Sequence, residues 1–469
     1  MMTSNKQNLP VRLPPGPKGH FLFGIFGDYT RDPLGYLSQC AKEYDDIVYF
    51  PSVRFTGLRA YFLNHPDYIE DVLATKSHQF SKYRMGFGII GRLLGNGLVT
   101  SEGDFWRHQR RLMQPAFHRE RIAAYGDIMA ACTNRMLSRW QTGEVRDVHE
   151  DMMRLTLEIV AKTLFDTDIA DKSEEVGGYL ALGIKFYDQW FRNLALTLLP
   201  ESAPIPHHLR SRRVIQRLDA IVYDIIRRRK DSGEDKGDLL SMMLEAKYED
   251  GTPISDQQVR DEVMTLFIAG HDTTALALTW TWYLLSQHPE VEAKLVEELQ
   301  TVLEGREPTF ADLPRLRYTD MVVREALRLY PPVWGMARVA NTDCEIGGYP
   351  IESGNIIILS QWVMHRDSRY FDSPDTFNPN RWADGLAQRL PTYAYFPFGG
   401  GPRVCIGKSF AQMEAVLLLA TITQKFHLSL VPGQDLTPWP AFTLRPKHGI
   451  KMVLNKQRSQ NSPVLPTAR

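Results

Sequence analysis

The sequence predicts a mainly α-helical protein with a small β region, an α+β fold. Two observations lead to this prediction. Between about residues 100 and 330 the chain reads as successive amphipathic helices, whereas short strand-like runs occur only near its start and its end. No internal repeat or long linker separates these parts, so we expect distant segments to pair in the sheet of one large domain.

The individual elements follow from apolar periodicity and from β-branched or aromatic content. The predicted strands are residues 47–50, 59–63, 344–351, 356–359 and 451–454. The predicted helices include residues 105–113, 121–139, 151–164, 214–229 and 291–303.

The longest helix is predicted to begin after Ser255 and to end before Pro289. Ser255 and Gln258 have the spacing of a capping box. The middle of the helix, residues 264–278, is apolar on every side except for one patch, so the helix belongs in the protein interior. That patch contains a carboxylate and two hydroxyls at 272–274, which are costly to bury unless they have partners or a function.

Composition excludes several classes of function. The 469 residues carry 55 basic and 55 acidic side chains, a balance that argues against a nucleic-acid partner. Four cysteines are too few for a disulfide scaffold, which favours a reducing, cytoplasmic setting. No apolar run suits a signal peptide or a membrane anchor. We divide the chain into a Pro-rich segment (1–20), one domain (21–456) and a polar tail (457–469).

The most unusual stretch is FPFGGGPRVCIGKSFA, at 396–411. Cys405 comes just before a helical pattern, and the positive end of a helix favours a thiolate. The glycines at 399–401 would let a flat group lie against the loop, and Arg403 offers a cation. A thiolate beside an open flat face is well matched to haem. A lone Cys-x-Gly would more often be an inert cysteine, but the complete pattern favours haem.

The pattern Phe-x-x-Gly-x-Arg-x-Cys-x-Gly at 398–407 resembles the haem-binding signature of the cytochrome P450 family at every fixed position. Three earlier segments resemble further motifs of that family, in the same order. They are the oxygen-activation motif at 269–274, the Glu-x-x-Arg helix around 325–328 and the arginine segment at 377–382. The resemblance spans almost the whole chain. It implies the cytochrome P450 fold, with a long central helix over haem b and an axial cysteine thiolate.

Glu325 and Arg328 are three residues apart and share one helix face. Their apolar neighbours imply burial, and a buried pair needs further partners. The resemblance makes Arg381 the third member of a network that stabilises the fold. The arginine segment departs from the family pattern, because Asn380 and Trp382 replace the common Glu and Phe.

Thr273 and Asp272 are the predicted catalytic residues. If oxygen binds iron opposite the cysteine, its cleavage needs protons, which an acid beside an alcohol can deliver. Thr273 can also bond to a carbonyl one turn earlier or hold a water. Gly270 would let the backbone approach the cofactor. The alternative is a threonine packed in a helical core, with Asp272 in a salt bridge elsewhere.

Haem propionates need cations or hydrogen-bond donors, and the resemblance suggests which residues supply them. The predicted cofactor-binding residues are Cys405 (also the metal ligand), Arg403, Trp106, Arg110, Arg338, His365, Lys82, Phe398, Gly399, Gly407, Ala269 and Gly270. The ordinary role for the charged residues would be surface salt bridges. The predicted substrate-pocket residues are Ala269, Thr273, Val333, Trp334 and Met336, with the segments 83–100 and 183–206 as the roof.

These features predict a haem-thiolate monooxygenase that inserts one oxygen atom of O2 into an apolar substrate such as a fatty acid, a terpenoid or a carotenoid-like molecule. Electrons would come from a separate ferredoxin or flavodoxin with its reductase, docking near residues 107–111 and Lys408. Two alternatives stay open: a peroxide-driven hydroxylase or isomerase of the same fold, and a haem sensor or carrier without turnover. The presence of both Asp272 and Thr273 argues against them.

Overall fold

The computed structural model describes residues 13–22, 24–51, 59–83, 87–169, 172–200, 202–248 and 250–457. Helices dominate, as the α+β prediction requires. In this part of the chain the α-helices are α1 (Phe26–Arg31), α2 (Pro33–Glu43), α3 (Pro66–Glu70), α4 (Gly88–Leu94), α5 (Gly103–Met113), α6 (Arg119–Leu137), α7 (Val148–Phe165), α8 (Ser173–Arg192), α9 (Leu194–Leu198), α10 (Pro206–Ser232), α11 (Leu239–Glu245), α12 (Asp256–Gln287), α13 (Pro289–Leu303), α14 (Arg317–Leu329), α15 (Gln361–Met364), α16 (Leu386–Arg389) and α17 (Lys408–Thr423).

Shorter elements connect the helices. The strands are β1 (Ile47–Phe50), β2 (Ala60–Leu63), β3 (Phe80–Lys82), β4 (Val145–Asp147), β5 (Met336–Ala340), β6 (Cys344–Ile346), β7 (Tyr349–Ile351), β8 (Ile356–Leu359), β9 (Phe426–Leu430), β10 (Pro438–Pro440), β11 (Leu444–Pro446) and β12 (Lys451–Lys456). A single π turn spans Asp71–Thr75, and 3-10 turns span Ser77–Gln79, Gln114–Phe117, Phe310–Asp312, Pro379–Trp382, Thr392–Ala394 and Gly401–Arg403.

The largest sheet joins segments that are far apart in the sequence. Its strand order is β1-β2-β8-β5-β3, in which β2 and β8 are parallel and the other neighbours are antiparallel. The predicted strands 47–50 and 356–359 coincide with β1 and β8. The apolar faces of these strands form two smaller buried clusters beside the main helical core.

One predicted strand is wrong. The run 344–351 forms two antiparallel strands, β6 and β7, instead of one. Gly347 and Gly348 lie between them with φ angles of 56° and 80°. Positive φ at both central residues is what a two-residue hairpin turn needs, so the glycines reverse the chain.

Helix α12 begins and ends where the sequence predicted. The Ser255 side chain accepts a hydrogen bond from the Gln258 N–H at 3.2 Å. The reciprocal bond of the predicted capping box, from the Ser255 N–H to the Gln258 side-chain oxygen, is not formed. The Gln258 side-chain nitrogen donates to the Asn96 carbonyl (3.3 Å) and to Glu262 (2.8 Å). The helix is thus tied at its start to the chain segment that precedes α5.

The middle of α12 is buried on almost every side, as expected for a helix in the interior. Ala269 is exposed, and Gly270 and Thr273 are half-buried. Because their neighbours on the helix are buried, this surface belongs to an internal space alongside α12.

None of the described helices is long and apolar enough to cross a membrane. Residues 1–12 and 458–469 lie outside the described residues. The division of the chain into a Pro-rich segment, one domain and a tail therefore stays a prediction.

Candidate active site

A cavity of about 620 Å³ lies along the middle of α12. This volume is that of a small-molecule site. The wall is mostly apolar, and its aromatic members are Phe26, Tyr29, Phe50, Tyr83, Phe87, Tyr187, Trp190, Phe191, Trp334 and Phe442. All five predicted pocket residues, Ala269, Thr273, Val333, Trp334 and Met336, line the same cavity.

Both predicted roof segments contribute to this wall. The wall residues from the first segment are Tyr83, Phe87, Leu94 and Val99, and those from the second are Tyr187, Trp190, Phe191, Leu194, Thr197 and Leu198. Residues 84–86 and 201 of these segments lie outside the described residues.

Sequence reasoning missed three further parts of the wall. They are the N-terminal residues Ile25, Phe26, Tyr29 and Thr30, residues 441–443 in the turn between β10 and β11, and the sheet residues Phe50, Pro51, Ala60, Ile356 and Ile358. The aromatic run FLFGIFGDY at 21–29 was the available signal for the first part. The turn carries no pattern that would predict its place.

Cys405 lies in residues 396–407, which we call the cysteine loop. It follows the 3-10 turn Gly401–Arg403 of that loop and precedes α17. Its backbone N–H donates to the Phe398 carbonyl at 2.9 Å, and Gly407 is the N-cap of α17. The cysteine thus sits next to a helix start, as the sequence predicted, with its position set by a backbone hydrogen bond across the loop.

The glycines of this loop serve different purposes. Gly401 has a φ of 61°, and a Cβ there would lie 1.7 Å from the Leu73 carbonyl oxygen, so only glycine fits. A Cβ at Gly399 would meet Met336 at 3.7 Å, an ordinary contact. Since Met336 lines the cavity, this side of the cysteine loop borders the cavity wall.

The pKa of the Cys405 thiol is not lowered as a helix start alone would lower it. Its side chain has accessible surface, yet burial raises its pKa, and the Gly407 N–H, Arg110 and Lys408 oppose that shift without cancelling it. The two observations agree because the accessible surface is interior. The Gly407 N–H at the helix start does favour the thiolate, as predicted, but burial outweighs it. A bound metal would supply what is missing, since coordination deprotonates a thiol.

Three cations meet at one end of the cavity, and we call Lys82, Arg338 and Arg403 the cation cluster. Lys82 of β3 and Arg338 of β5 are directly opposite each other in the sheet, and both line the cavity. Like charges placed opposite on neighbouring strands destabilise a sheet. An anion lying against both side chains would relieve this repulsion.

The pKa values in the cation cluster also favour an anion bound at this place. Burial, with repulsion from the neighbouring cations, lowers the pKa of Lys82 well below its usual value and that of Arg338 to about 10. Glu102 pairs with Arg403 and accepts the Lys82 backbone N–H at 2.8 Å. The one hydrogen bond of Arg338 to a described residue goes to the Ala337 carbonyl. The Lys82 ammonium also donates to the Leu98 and Val99 carbonyls. Glu102 is the one carboxylate set against the three basic side chains of the cluster, and such an excess of basic groups suits the two propionates of haem.

Trp106 and Arg110 join the cation cluster to the cysteine. The guanidinium carbon of Arg403 lies 4.0 Å from the centre of the Trp106 ring, and that of Arg110 lies 5.9 Å from it. Arg110 donates to the Val404 carbonyl at 2.8 Å, one residue before the sulfur. The structure thus brings a thiol and a cation cluster together beside an apolar cavity, and these residues fit haem.

His365 is placed elsewhere. Its ring is fully buried, its Nε2 accepts the Phe396 N–H at 3.0 Å, and its carbonyl accepts from Arg328 at 2.8 Å. It does not line the cavity. The predicted cofactor contact is therefore replaced by a structural role, in which His365 holds the start of the cysteine loop.

Gly270 also has a different reason to be glycine. A Cβ there would lie 2.6 Å from Val160 of α7. Its missing side chain lets α12 pack closely against α7, whereas the prediction assigned that space to a cofactor. Ala269, one residue earlier, does line the cavity.

Asp272 takes the salt bridge that the sequence left as the alternative. Its Oδ1 is 2.5 Å from Arg445 of β11. Burial raises the pKa of Asp272, but Arg445 and His271 outweigh it, and the net pKa lies below the usual value. Thr273 donates to the Ala269 carbonyl at 2.9 Å, the bond one turn back that was predicted. Sequence reasoning missed Arg445, which is 173 residues from Asp272.

The structural network is more extensive than predicted. The fully buried Glu325 carboxylate accepts two hydrogen bonds from Arg328 (2.8 and 2.9 Å) and one from Arg381 (2.8 Å). The indole N–H of Trp382 (2.9 Å) and the backbone N–H of Asn378 (3.1 Å) complete the set. Trp382, a departure from the family pattern, thus adds a donor that phenylalanine would lack.

Comparisons with known proteins find relatives that match nearly the whole chain. A family model described as cytochrome P450 matches residues 14–453. The cyclooctat-9-en-7-ol 5-monooxygenase of Streptomyces melanosporofaciens is 38% identical over 412 residues, which cover 87% of each chain. Cyclooctatin synthase of the same organism is 36% identical over 88% of this chain and 90% of its own. Pentalenene oxygenase of Streptomyces avermitilis is 34% identical over 87% of this chain and 89% of its own.

Proposed function

Because the chain belongs to the cytochrome P450 family and is a haem-thiolate monooxygenase acting on an apolar substrate, we propose that this substrate is a terpenoid. The observation that carries the proposal is the cavity wall, which is mostly apolar and rich in rigid aromatic side chains. Such a wall complements a rigid hydrocarbon skeleton. The similarity to enzymes named for cyclooctat-9-en-7-ol and pentalenene supports the same class.

The charges of the cavity favour a terpenoid over a fatty acid. Lys82 and Arg338 are the only basic residues among the described residues of its wall. We assign both to the propionates of the cofactor. A fatty-acid carboxylate would then meet no free cation among the described wall residues, and an unpaired carboxylate is costly in an apolar site.

Spectral titration of the purified haem protein tests the substrate class. We expect cyclic terpenoids to shift the haem absorption with a Kd at least about tenfold lower than that of fatty acids of equal carbon number, because the carboxylate must be desolvated. Fatty-acid methyl esters serve as the control and should bind more tightly than the free acids. Tighter binding of the free acids would contradict the terpenoid proposal while leaving the family assignment intact.

The cofactor is haem b, and we assign its contacts to the residues that the structure groups. Cys405 would be the axial ligand, and the cation cluster with Trp106 and Arg110 would hold the propionates. Bound in this way, haem activates oxygen for cleavage, which thiolate ligation favours. The chain's own residues exclude bulk water, orient the substrate and hold the proton donors.

Thr273 is the residue that we propose holds a proton donor at the cavity. Its hydroxyl hydrogen is used by the Ala269 carbonyl, so its oxygen is left to accept a hydrogen bond from water. Asp272 is held as a carboxylate by Arg445, and it joins a proton relay only when that pair loosens. Thr273 therefore contributes more to proton delivery than Asp272 does.

Replacing Thr273 with alanine should uncouple the reaction from its electron supply. We expect product per NAD(P)H to fall by about tenfold or more when a ferredoxin and its reductase supply electrons, while peroxide-driven turnover persists. Thr279→Ala is the matched control, because Thr279 makes the same bond one turn back, to Ala275, but does not line the cavity. Equal coupling in the two variants would remove Thr273 from proton delivery. Better turnover of the parent with peroxide than with electrons would favour the peroxide-driven alternative.

Separate redox partners supply the electrons in this family, and we propose a ferredoxin or flavodoxin with its reductase. Exposed basic residues near the cysteine loop would meet such an acidic partner: Arg107, Arg111 and Lys408. We also propose a cytoplasmic setting, which all four cysteines support because each is free.

A further inference from the structure

Arg192, the last residue of α8, joins three chain segments that meet at one wall of the cavity. Its Nε donates to Asp188 of the same helix at 2.9 Å. Its two terminal nitrogens donate to backbone carbonyls of other segments, Thr30 of α1 at 2.5 Å and Pro440 of β10 at 3.0 Å. Its guanidinium carbon lies 3.9 Å from the centre of the Trp439 ring.

Each segment held by Arg192 supplies wall residues next to the point of attachment. Tyr29 and Thr30 line the cavity from α1, Phe191 lines it from α8, and Phe442 lines it just after β10. The Tyr29 and Phe191 rings are 6.2 Å apart. Arg192 itself does not line the cavity, so it acts on these side chains only through their backbones.

The same wall adjoins the surface of the protein. Leu198, at the end of α9, lines the cavity and is 63% exposed. Helix α9 follows Arg192 after a single residue. Loss of the Arg192 contacts would therefore loosen α1, α8 and β10 near Leu198, where the cavity wall reaches the protein surface.

We propose that Arg192 is a positioning residue that latches α1, α8 and β10 together and so limits which molecules reach the cavity and how fast. A guanidinium suits this task, because its planar fork can serve two carbonyls and a carboxylate while it stacks on an indole. Lysine has one nitrogen and cannot make the same set of contacts. The proposal does not depend on the class of substrate.

Stopped-flow binding of azoles to the haem protein tests the latch without turnover. We expect Arg192→Ala and Arg192→Lys each to raise the association and dissociation rates of clotrimazole, a bulky azole, by about tenfold. The rates of imidazole, which is small enough to pass a closed wall, should not change. The carbon-monoxide spectrum should match that of the parent, because Arg192 touches no residue assigned to the cofactor.

The controls separate a latch from an ordinary ion pair. Arg228→Ala removes another arginine that pairs with an aspartate four residues earlier in a helix, Asp224 at 2.7 Å, but no segment of the cavity wall is attached to it. It should leave all azole rates unchanged. Trp439→Leu removes only the stacking contact and should give a smaller change in the same direction, which provides a test if the Arg192 variants fold poorly. Parental clotrimazole rates in a well-folded Arg192→Lys protein, or in Trp439→Leu if that protein alone folds, would overturn the proposal.

Discussion

Cys405→Ala should lose the carbon-monoxide difference spectrum of a thiolate-ligated haem together with all detectable monooxygenase turnover. The sulfur is the only axial donor that the described cysteine loop offers, and thiolate donation is what favours oxygen cleavage. Loss of the thiolate in Cys405→Ala need not mean complete loss of haem. The cation cluster, Trp106 and Arg110 do not depend on the sulfur, so we expect part of the haem to remain bound.

Two further variants sharpen the cysteine experiment. Cys405→His offers a nitrogen donor, and we expect it to bind haem with a changed spectrum and without turnover. Cys344→Ala is the matched control, because Cys344 is half-buried in β6 and touches no residue assigned to the cofactor. A parental carbon-monoxide spectrum in Cys405→Ala would show that another residue ligates the metal, and the site would then have to be reassigned.

Arg328→Ala should strongly destabilise the folded protein. It removes two of the five hydrogen bonds to the Glu325 carboxylate and leaves that charge buried. Breaking a buried ion pair from one side costs about 3–5 kcal/mol of unfolding free energy. We expect little folded protein at growth temperature. Denaturant unfolding of whatever folds gives the measurement.

The same helix offers a matched control for Arg328. Arg324 pairs with Asp320 at 2.6 Å, but both side chains are about one-third exposed. Arg324→Ala should cost less than about 1 kcal/mol, because exposed pairs contribute little. Trp382→Phe removes one donor from Glu325 and should cost about 1–3 kcal/mol. Equal unfolding midpoints for Arg328→Ala and Arg324→Ala would contradict the assignment of a stabilising network.

Local chemistry made several features predictable from the sequence. The N-cap Ser255 and the break at Pro289 bound α12 because capping and proline act within one turn. Glu325 and Arg328 pair because residues three apart share a helix face. Motif resemblance, not local physics, indicated that Arg381 would join them. Side-chain spacing along one element is thus enough to predict such pairs.

Features that depend on a distant segment were not predictable. Nothing around Asp272 indicates that Arg445 will reach it from β11, so the local sequence could not decide between the proton relay and the salt bridge. The space beside Gly270 is filled by Val160 of α7, which only the packing of two helices decides. Burial of Cys405 opposes its ionisation by an amount that no count of nearby glycines or cations reveals.

The cross-strand pairing of Lys82 with Arg338 affects the expected abundance of this protein in a cell. Newly made chains that lack porphyrin would carry more of that repulsion than the haem protein, and they would spend more time locally open, where proteases act. Iron starvation or slow tetrapyrrole synthesis would then shorten the lifetime of the polypeptide and also lower its haem content. Recombinant yield should follow the supply of 5-aminolevulinate more closely than the strength of the promoter.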